Sequence, residues 1–293
     1  MTVVSSRGVL SRPAPPPRLT VSYGPLPEHV ADVWLPPGEP SAAGAGGDGD
    51  GPPLLLVVHG GFWREEYDRR HARPQCAGLA AAGYVVAAIE YRRVGRDGGW
   101  PTTFDDVALA VDTVPAAVAA ALREAPTGRA PTSPPPDAVL VGHSAGGHLA
   151  VWAASRHRAP ASAPWRLAAP PPSVAGVVSL AGVLDLPAAA ELDLDGGAAR
   201  DFLGGGPGDV PERYAAADPL RLTPAAVPTV LVHGTDDEQV PPELSRRYAA
   251  AAGPHASLVE LPGVEHFALI DPESPAWPSV LDAVTQVVRA ERG

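Results

Sequence analysis

The sequence predicts an α/β fold: a mostly parallel central sheet with helices on both faces and an antiparallel hairpin at its N-terminal edge. Three observations carry this expectation. Four short β-branched runs contain no proline, although proline crowds residues 13–17, 36–53, 126–136 and 160–172 around them. Those runs are near-continuously apolar rather than alternating, as strands covered on both faces must be. Helix-length segments lie between them, which is the alternation that right-handed βαβ crossovers require.

In chain order, residues 1–18 read as a flexible leader because Pro13 to Pro17 deny it regular structure. Residues 19–293 read as one domain. Its first elements, Leu19–Tyr23 and Val30–Leu35, are split by Gly24-Pro25 and form the edge hairpin. Gly44, Gly46 and Gly49 stand at G-x-G-x-x-G spacing, but they follow no crossover strand and precede Pro52-Pro53, so the segment reads as an acidic loop and not as a dinucleotide site. Leu54–His59 is the first central strand. A helix over 75–82 and a strand over Tyr84–Tyr91 follow, then a helix over 103–124 with Pro115 as its expected kink. Ala138–Gly142 leads into a helix over 145–155, and Val174–Leu180 makes the next strand. Residues 184–223, rich in Gly and Asp, fit neither strand nor crossover helix and read as a lid-like insertion over a pocket. Thr229–His233, a helix over 241–252, Leu258–Leu261 and a helix over 276–291 complete the alternation.

Composition narrows the chemistry. All 22 basic residues among the 293 are arginine, and there is no asparagine. Without lysine there is no Schiff base, no Ser-Lys dyad and no phosphate-binding Walker lysine; without asparagine there is no Cys-His-Asn triad and no N-glycosylation. A net charge of −11 argues against nucleic-acid or anionic-membrane partners. The single Cys76 excludes an internal disulfide and a cysteine-based zinc site, and no stretch approaches the roughly 20 apolar residues of a membrane helix. The expected setting is cytoplasmic, with no metal and no cofactor.

Gly142-His143-Ser144-Ala145-Gly146 matches G-x-S-x-G between a predicted strand and a predicted helix, the context in which the pattern marks a nucleophile. A serine hydroxyl needs a base, and the base needs an orienting carboxylate. His266 follows the 258–261 strand, and Asp236 and Asp237 follow the 229–233 strand, which gives the chain order Ser, Asp, His. The two aspartates are not separable on spacing alone. For the oxyanion, Ala145 offers a helix N-terminal amide, and the loop His59-Gly60-Gly61-Phe62-Trp63 offers those of Gly61 and Phe62. Trp63 and His143 are candidate pocket residues.

These residues together resemble an α/β-hydrolase over about residues 19–290. The segments His59–Trp63 and Gly142–Ala150 are similar to the small carboxylesterase and kynurenine formamidase branch, whose H-G-G-x-W motif supplies oxyanion amides from positions that map to Gly61 and Phe62. The family pattern H-G-x-x-D-x-x-V-P, aligned on His233 to Pro241, implies Asp237 rather than Asp236 as the triad acid. The resemblance implies a serine hydrolase acting on small or medium acyl esters through an acyl-enzyme. The alternative it implies is an aryl-formamide hydrolase, with Trp63, Phe62 and the 184–223 insertion lining an aromatic pocket. The less favoured alternatives are a peptidase similar to prolyl oligopeptidases, for whose propeller there is no room here, and a non-catalytic binding module of the same fold, which usually loses triad members that are all present here.

Overall fold

The computed structural model describes residues 6–37, 52–124, 137–171 and 173–291. The strands are β1 (Leu19–Ser22), β2 (Val30–Trp34), β3 (Leu54–Val58), β4 (Val85–Ile89), β5 (Ala138–His143), β6 (Val174–Leu180), β7 (Thr229–Gly234) and β8 (Ala256–Leu261), and they form one sheet in the order β1-β2-β4-β3-β5-β6-β7-β8. The pairs β1–β2 and β2–β4 are antiparallel and all others are parallel, so the expected hairpin lies at the edge. The glycine-spaced loop at 42–51 lies outside the described residues.

The helices are α1 (Arg73–Ala81), α2 (Thr102–Glu124), α3 (Ala145–Ala154), α4 (Leu186–Glu191), α5 (Ala198–Leu203), α6 (Pro211–Ala217), α7 (Glu243–Ala252) and α8 (Trp277–Glu291). Alternate residues of β3 show why its sequence is apolar throughout. Leu54, Leu56 and Val58 pack into a core with α2, α3 and α7, while Leu55 and Val57 pack into a second core with α1 and α8. A strand with two dry faces has no position for a polar side chain. Helix α3 is the helical counterpart: every one of its residues is buried, in keeping with its apolar composition all round. Among the described residues no helix is long and apolar enough to cross a membrane.

Pro115 does not end α2, which runs unbroken as a 23-residue helix. A proline inside a helix leaves the carbonyl four residues earlier without its amide. Here that carbonyl is Val111 O, and Ser173 Oγ donates to it at 3.2 Å. A neighbouring loop thus replaces the missing donor.

The leader departs from expectation. Residues Ser6–Ser11 form a 3₁₀ turn that packs on a second one, His266–Ile270. Val9 is fully buried, the Arg12 guanidinium forks onto the carboxylate of Asp271, and Trp34 Nε1 donates to Pro15 O at 2.9 Å. Proline removes backbone donors, but it does not prevent a segment from lying in an apolar groove and offering its carbonyls, and that is how 13–17 is used.

The 184–223 insertion folds into α4, α5 and α6, with Phe202, Leu203 and Tyr214 fully buried. Its base is held by Asp218, whose Oδ1 accepts from Leu186 N at 3.0 Å. Burial pushes the Asp218 carboxyl up to about 7, with the nearby Asp185 adding to the rise and the Leu186 amide opposing it.

Two outcomes are expected. Val9→Ala should cost about 1–2 kcal/mol and lower Tm by roughly 2–6 °C; an unchanged melting curve would mean that the leader adds nothing to stability. Because the folded-state pKa of Asp218 is raised, its contribution is full below the ordinary carboxylate range and is lost as pH rises through about 7. The Tm of wild type minus that of Asp218→Asn should therefore fall steadily between about pH 4 and 8. Parallel profiles in thermal denaturation would contradict the burial argument.

Candidate functional site

Every parallel strand ends on the same edge of the sheet, where the loops after β3, β5, β7 and β8 converge. This is the edge at which α/β sheets hold their ligands. At its centre, β5 turns into α3 through Ser144, whose φ of 57° and ψ of −121° lie in a region that side chains other than glycine rarely occupy. The turn is possible only because of its flanking glycines. A β-carbon on Gly142 would lie 2.1 Å from Gly146 O, and one on Gly146 would lie 2.0 Å from Val58 O. The close approach of backbones makes the turn tight enough to hold Ser144 over the sheet edge.

The loop after β3 lies against this turn. Gly61, Phe62 and Trp63 all have positive φ, at 109°, 47° and 59°. Among the described residues no hydrogen bond engages the amides of Gly61, Phe62 or Ala145. Beneath the loop, the Tyr91 ring stacks on His59 at 4.3 Å and its hydroxyl donates to His59 O at 2.8 Å. The Glu90 carboxylate accepts from His59 Nε2, from the Tyr91 and Arg69 amides and from Arg93. Burial acts to raise the Glu90 pKa, but the His59 hydrogen bond and the charges of His59 and Arg93 outweigh it and bring the value down to about 2.

His266 and Asp237 meet at the ends of β8 and β7. His266 Nδ1 donates to Asp237 Oδ2 at 2.6 Å, and Asp237 Oδ1 accepts from the Gln239 and Val240 amides at 2.8 Å each. Because a carboxylate only accepts, His266 Nδ1 carries a proton, and Nε2 has no hydrogen-bond partner among the described residues. Burial would raise the Asp237 pKa. Hydrogen bonds from His233 and His266, the charge of His266 and the Val240 amide together hold it well below the usual carboxylate range. Asp236, by contrast, is exposed and, among the described residues, accepts only from Thr235 Oγ1. The two aspartates that spacing alone leaves equivalent are thus separated by burial and by partner.

Ser144 and His266 line one cleft together with Gly61, Phe62 and His143. Among the described residues no hydrogen bond joins Ser144 Oγ to His266; such contacts commonly tighten only when substrate is bound. His143 is packed against the base, with ring centroids 4.4 Å apart and Nε2 donating to His266 O at 3.1 Å. Burial, and then the charge of His266, hold His143 well below the ordinary histidine range, so it stays neutral.

Trp63 does not line the cleft. Its ring is 1% exposed, stacks on Phe202 at 4.5 Å and donates Nε1–H to His148 Nδ1 at 3.2 Å. The positive φ of Trp63 goes with a side chain packed into the insertion, where it joins the loop after β3 to α5. His148 extends this link through Nε2 to Ala217 O, and burial lowers its pKa to about 4. Sequence reasoning missed Arg7, Tyr67, Gln239 and Phe267 as lining residues. It also missed the support of Asp237 by His233, whose Nδ1 lies 2.7 Å from Ser245 Oγ. Only the position of His233 at a strand end hinted at that role.

A family model described as BD-FAE matches residues 45–251. A curated relative, the esterase LipQ of Mycobacterium tuberculosis, is 28% identical over 259 residues; the match covers 84% of this chain and 56% of LipQ, so the chain spans about half of that relative's length. Among solved structures, a truncated carbohydrate esterase from gut microbiota superposes with a TM-score of 0.73 at 19% identity, covering 95% of this chain and all of that one. The butyrate-bound esterase Est2 of the planctomycete Thermogutta terrifontis gives 0.65 at 22% identity, covering 93% of each chain. At these identities the structures establish the α/β-hydrolase fold.

Gly61→Ala should disrupt the loop after β3, since the new methyl would lie 2.3 Å from Tyr67 Cβ at a φ that alanine avoids. Its Tm should fall by several degrees, whereas Gly83→Ala, also at positive φ but with open space around it, should fall by less. Equal losses in differential scanning fluorimetry would show that backbone strain alone, without the clash, sets the cost.

Proposed function

This chain belongs to the BD-FAE family, and from that premise we propose that it is a serine hydrolase that cleaves carboxylic esters of small or medium acyl groups. The carrying observation is the buried Asp237–His266 hydrogen bond at the sheet edge, beside a strained serine and three unengaged amides. The esterase LipQ supports the reaction class. The butyrate and propionate bound to Thermogutta terrifontis esterase 2 support the acyl size.

In this reading Ser144 Oγ attacks the ester carbonyl as His266 Nε2 removes its proton. Asp237 keeps the imidazole in the tautomer with Nδ1–H and stabilises the imidazolium that forms. The amides of Gly61, Phe62 and Ala145 receive the oxyanion, and each such donor is worth roughly 3–4 kcal/mol of barrier. His266 then returns the proton to the leaving alcohol, which frees an acyl-Ser144; water repeats the cycle with the acid as product. His143, being neutral, adds no charge to oppose the imidazolium. Formamide hydrolysis would use the same groups; of the residues expected to shape an aromatic pocket for it, Phe62 lines the cleft while Trp63 is buried against Phe202, and the ester reading has the support of the esterase relatives. Cys76 is a buried free thiol, and a cytoplasmic setting is part of the same proposal.

Ser144→Ala should abolish covalent labelling by a fluorophosphonate and lower kcat on 4-nitrophenyl butyrate by at least about a thousandfold. His266→Ala should do nearly the same, because a triad acts as a unit. Labelling of Ser144→Ala at the wild-type rate would end this reading.

A further inference from the structure

Part of the wall of the cleft comes from the N-terminal segment. Arg7 and Leu10 line the cleft beside His266 and Phe267. The 3₁₀ turn that carries them is anchored on three sides: Val9 is buried beneath it, Arg12 is forked onto Asp271, and its body rests on the turn that begins at His266. Arg7 is therefore a placed group. Its guanidinium lies over the Phe267 ring, 5.7 Å from the centroid, and donates to Tyr67 Oη at 2.6 Å.

Charge balance sets Arg7 apart from the other arginines nearby. Arg12 is matched by Asp271 and Glu273, and Arg64 by Asp195 and Asp201. Asp195 is the acidic residue that lines the cleft, and its carboxylate is held by Arg64 at 2.5 Å, on the side of the loop after β3. Among the described residues Arg7 has no carboxylate partner, and Tyr67 occupies one of its five N–H donors. Among the described residues the unmatched charge lining the cleft is thus positive, in a chain whose net charge is −11. A guanidinium fork with vacant donors beside a reacting centre is built to take a planar oxyanion in two parallel hydrogen bonds.

The side on which Arg7 stands selects the half of the ester it meets. His266 must hand its proton to the leaving oxygen, so the alcohol half departs past His266. Arg7 covers Phe267, the next residue in the chain.

We propose that Arg7 is a specificity-determining residue that binds a carboxylate carried on the alcohol half of the ester. This rests on the ester-hydrolase reading above. The test uses acetates that share one acyl group, with acetate release as the assay: 4-acetoxybenzoate carries the anion on the alcohol half, and 4-acetoxybenzamide is its neutral isostere. A third substrate, the mono-4-nitrophenyl ester of adipic acid, carries the anion on the acyl half. The preference in kcat/KM for 4-acetoxybenzoate over 4-acetoxybenzamide should fall about tenfold in Arg7→Gln, the size expected of one charge-assisted contact at a half-open site. Arg7→Lys should recover part of it. An unchanged preference, whatever the absolute rates, overturns the proposal and leaves Arg7 as a packing residue. So does a loss confined to the adipate ester. Fluorophosphonate labelling separates the two levels: if wild type and Ser144→Ala label alike, the hydrolase reading has failed and this assignment falls with it, whereas Ser144-dependent labelling with an unchanged preference overturns the Arg7 assignment alone.

Discussion

The contact on which the site depends is the near-touch of three backbones where β5 enters α3. Gly146 lies under the end of β3, and Gly142 lies under Gly146, each at a distance that excludes a side chain. This compression imposes the positive φ of Ser144 and points the first turn of α3 at the cleft. It also brings the loop after β3 against Ser144, so that unengaged amides and a hydroxyl share one space without any side chain having to hold them there. The strain is sustained by what surrounds it: Ser144 N is bonded to Leu180 O, and α3 is buried on all sides.

Around that rigid centre the ionisable groups are sorted by burial into fixed states. Asp237 and Glu90 are each held as carboxylates by hydrogen bonds that outweigh desolvation, and each orients a histidine, His266 and His59 respectively. His143 and His148, which make no hydrogen bond to a carboxylate among the described residues, are held neutral by burial. One residue type thus stands as the carboxylate's partner in the cleft, as loop support and as uncharged packing, and its surroundings decide which.

Much of this was legible in the sequence because the signals are local. A proline-free apolar run reads as a buried strand whatever else the chain does, and Ser144 and His266 were identifiable from the strands that precede them. Asp237 needed a family pattern to choose it over Asp236, since the deciding facts, burial and the bond to His266, belong to the tertiary structure. The misreadings share this cause. The leader looked disordered because its anchor, Asp271, lies 259 residues from Arg12. Trp63 looked like a pocket residue because its left-handed backbone, which turns the ring toward Phe202, has no signature in an H-G-G-x-W string.

The family match spans residues 45–251, so the segment that bears His266 and the leader that rests on it both lie beyond its ends. These two termini meet across the mouth of the cleft, while the sheet, the elbow and the insertion stand between them in sequence. The stretch that the family model describes and the stretches that form this side of the cleft are therefore different parts of the chain. The two ends can diverge as a matched pair without disturbing the compressed backbones at the centre.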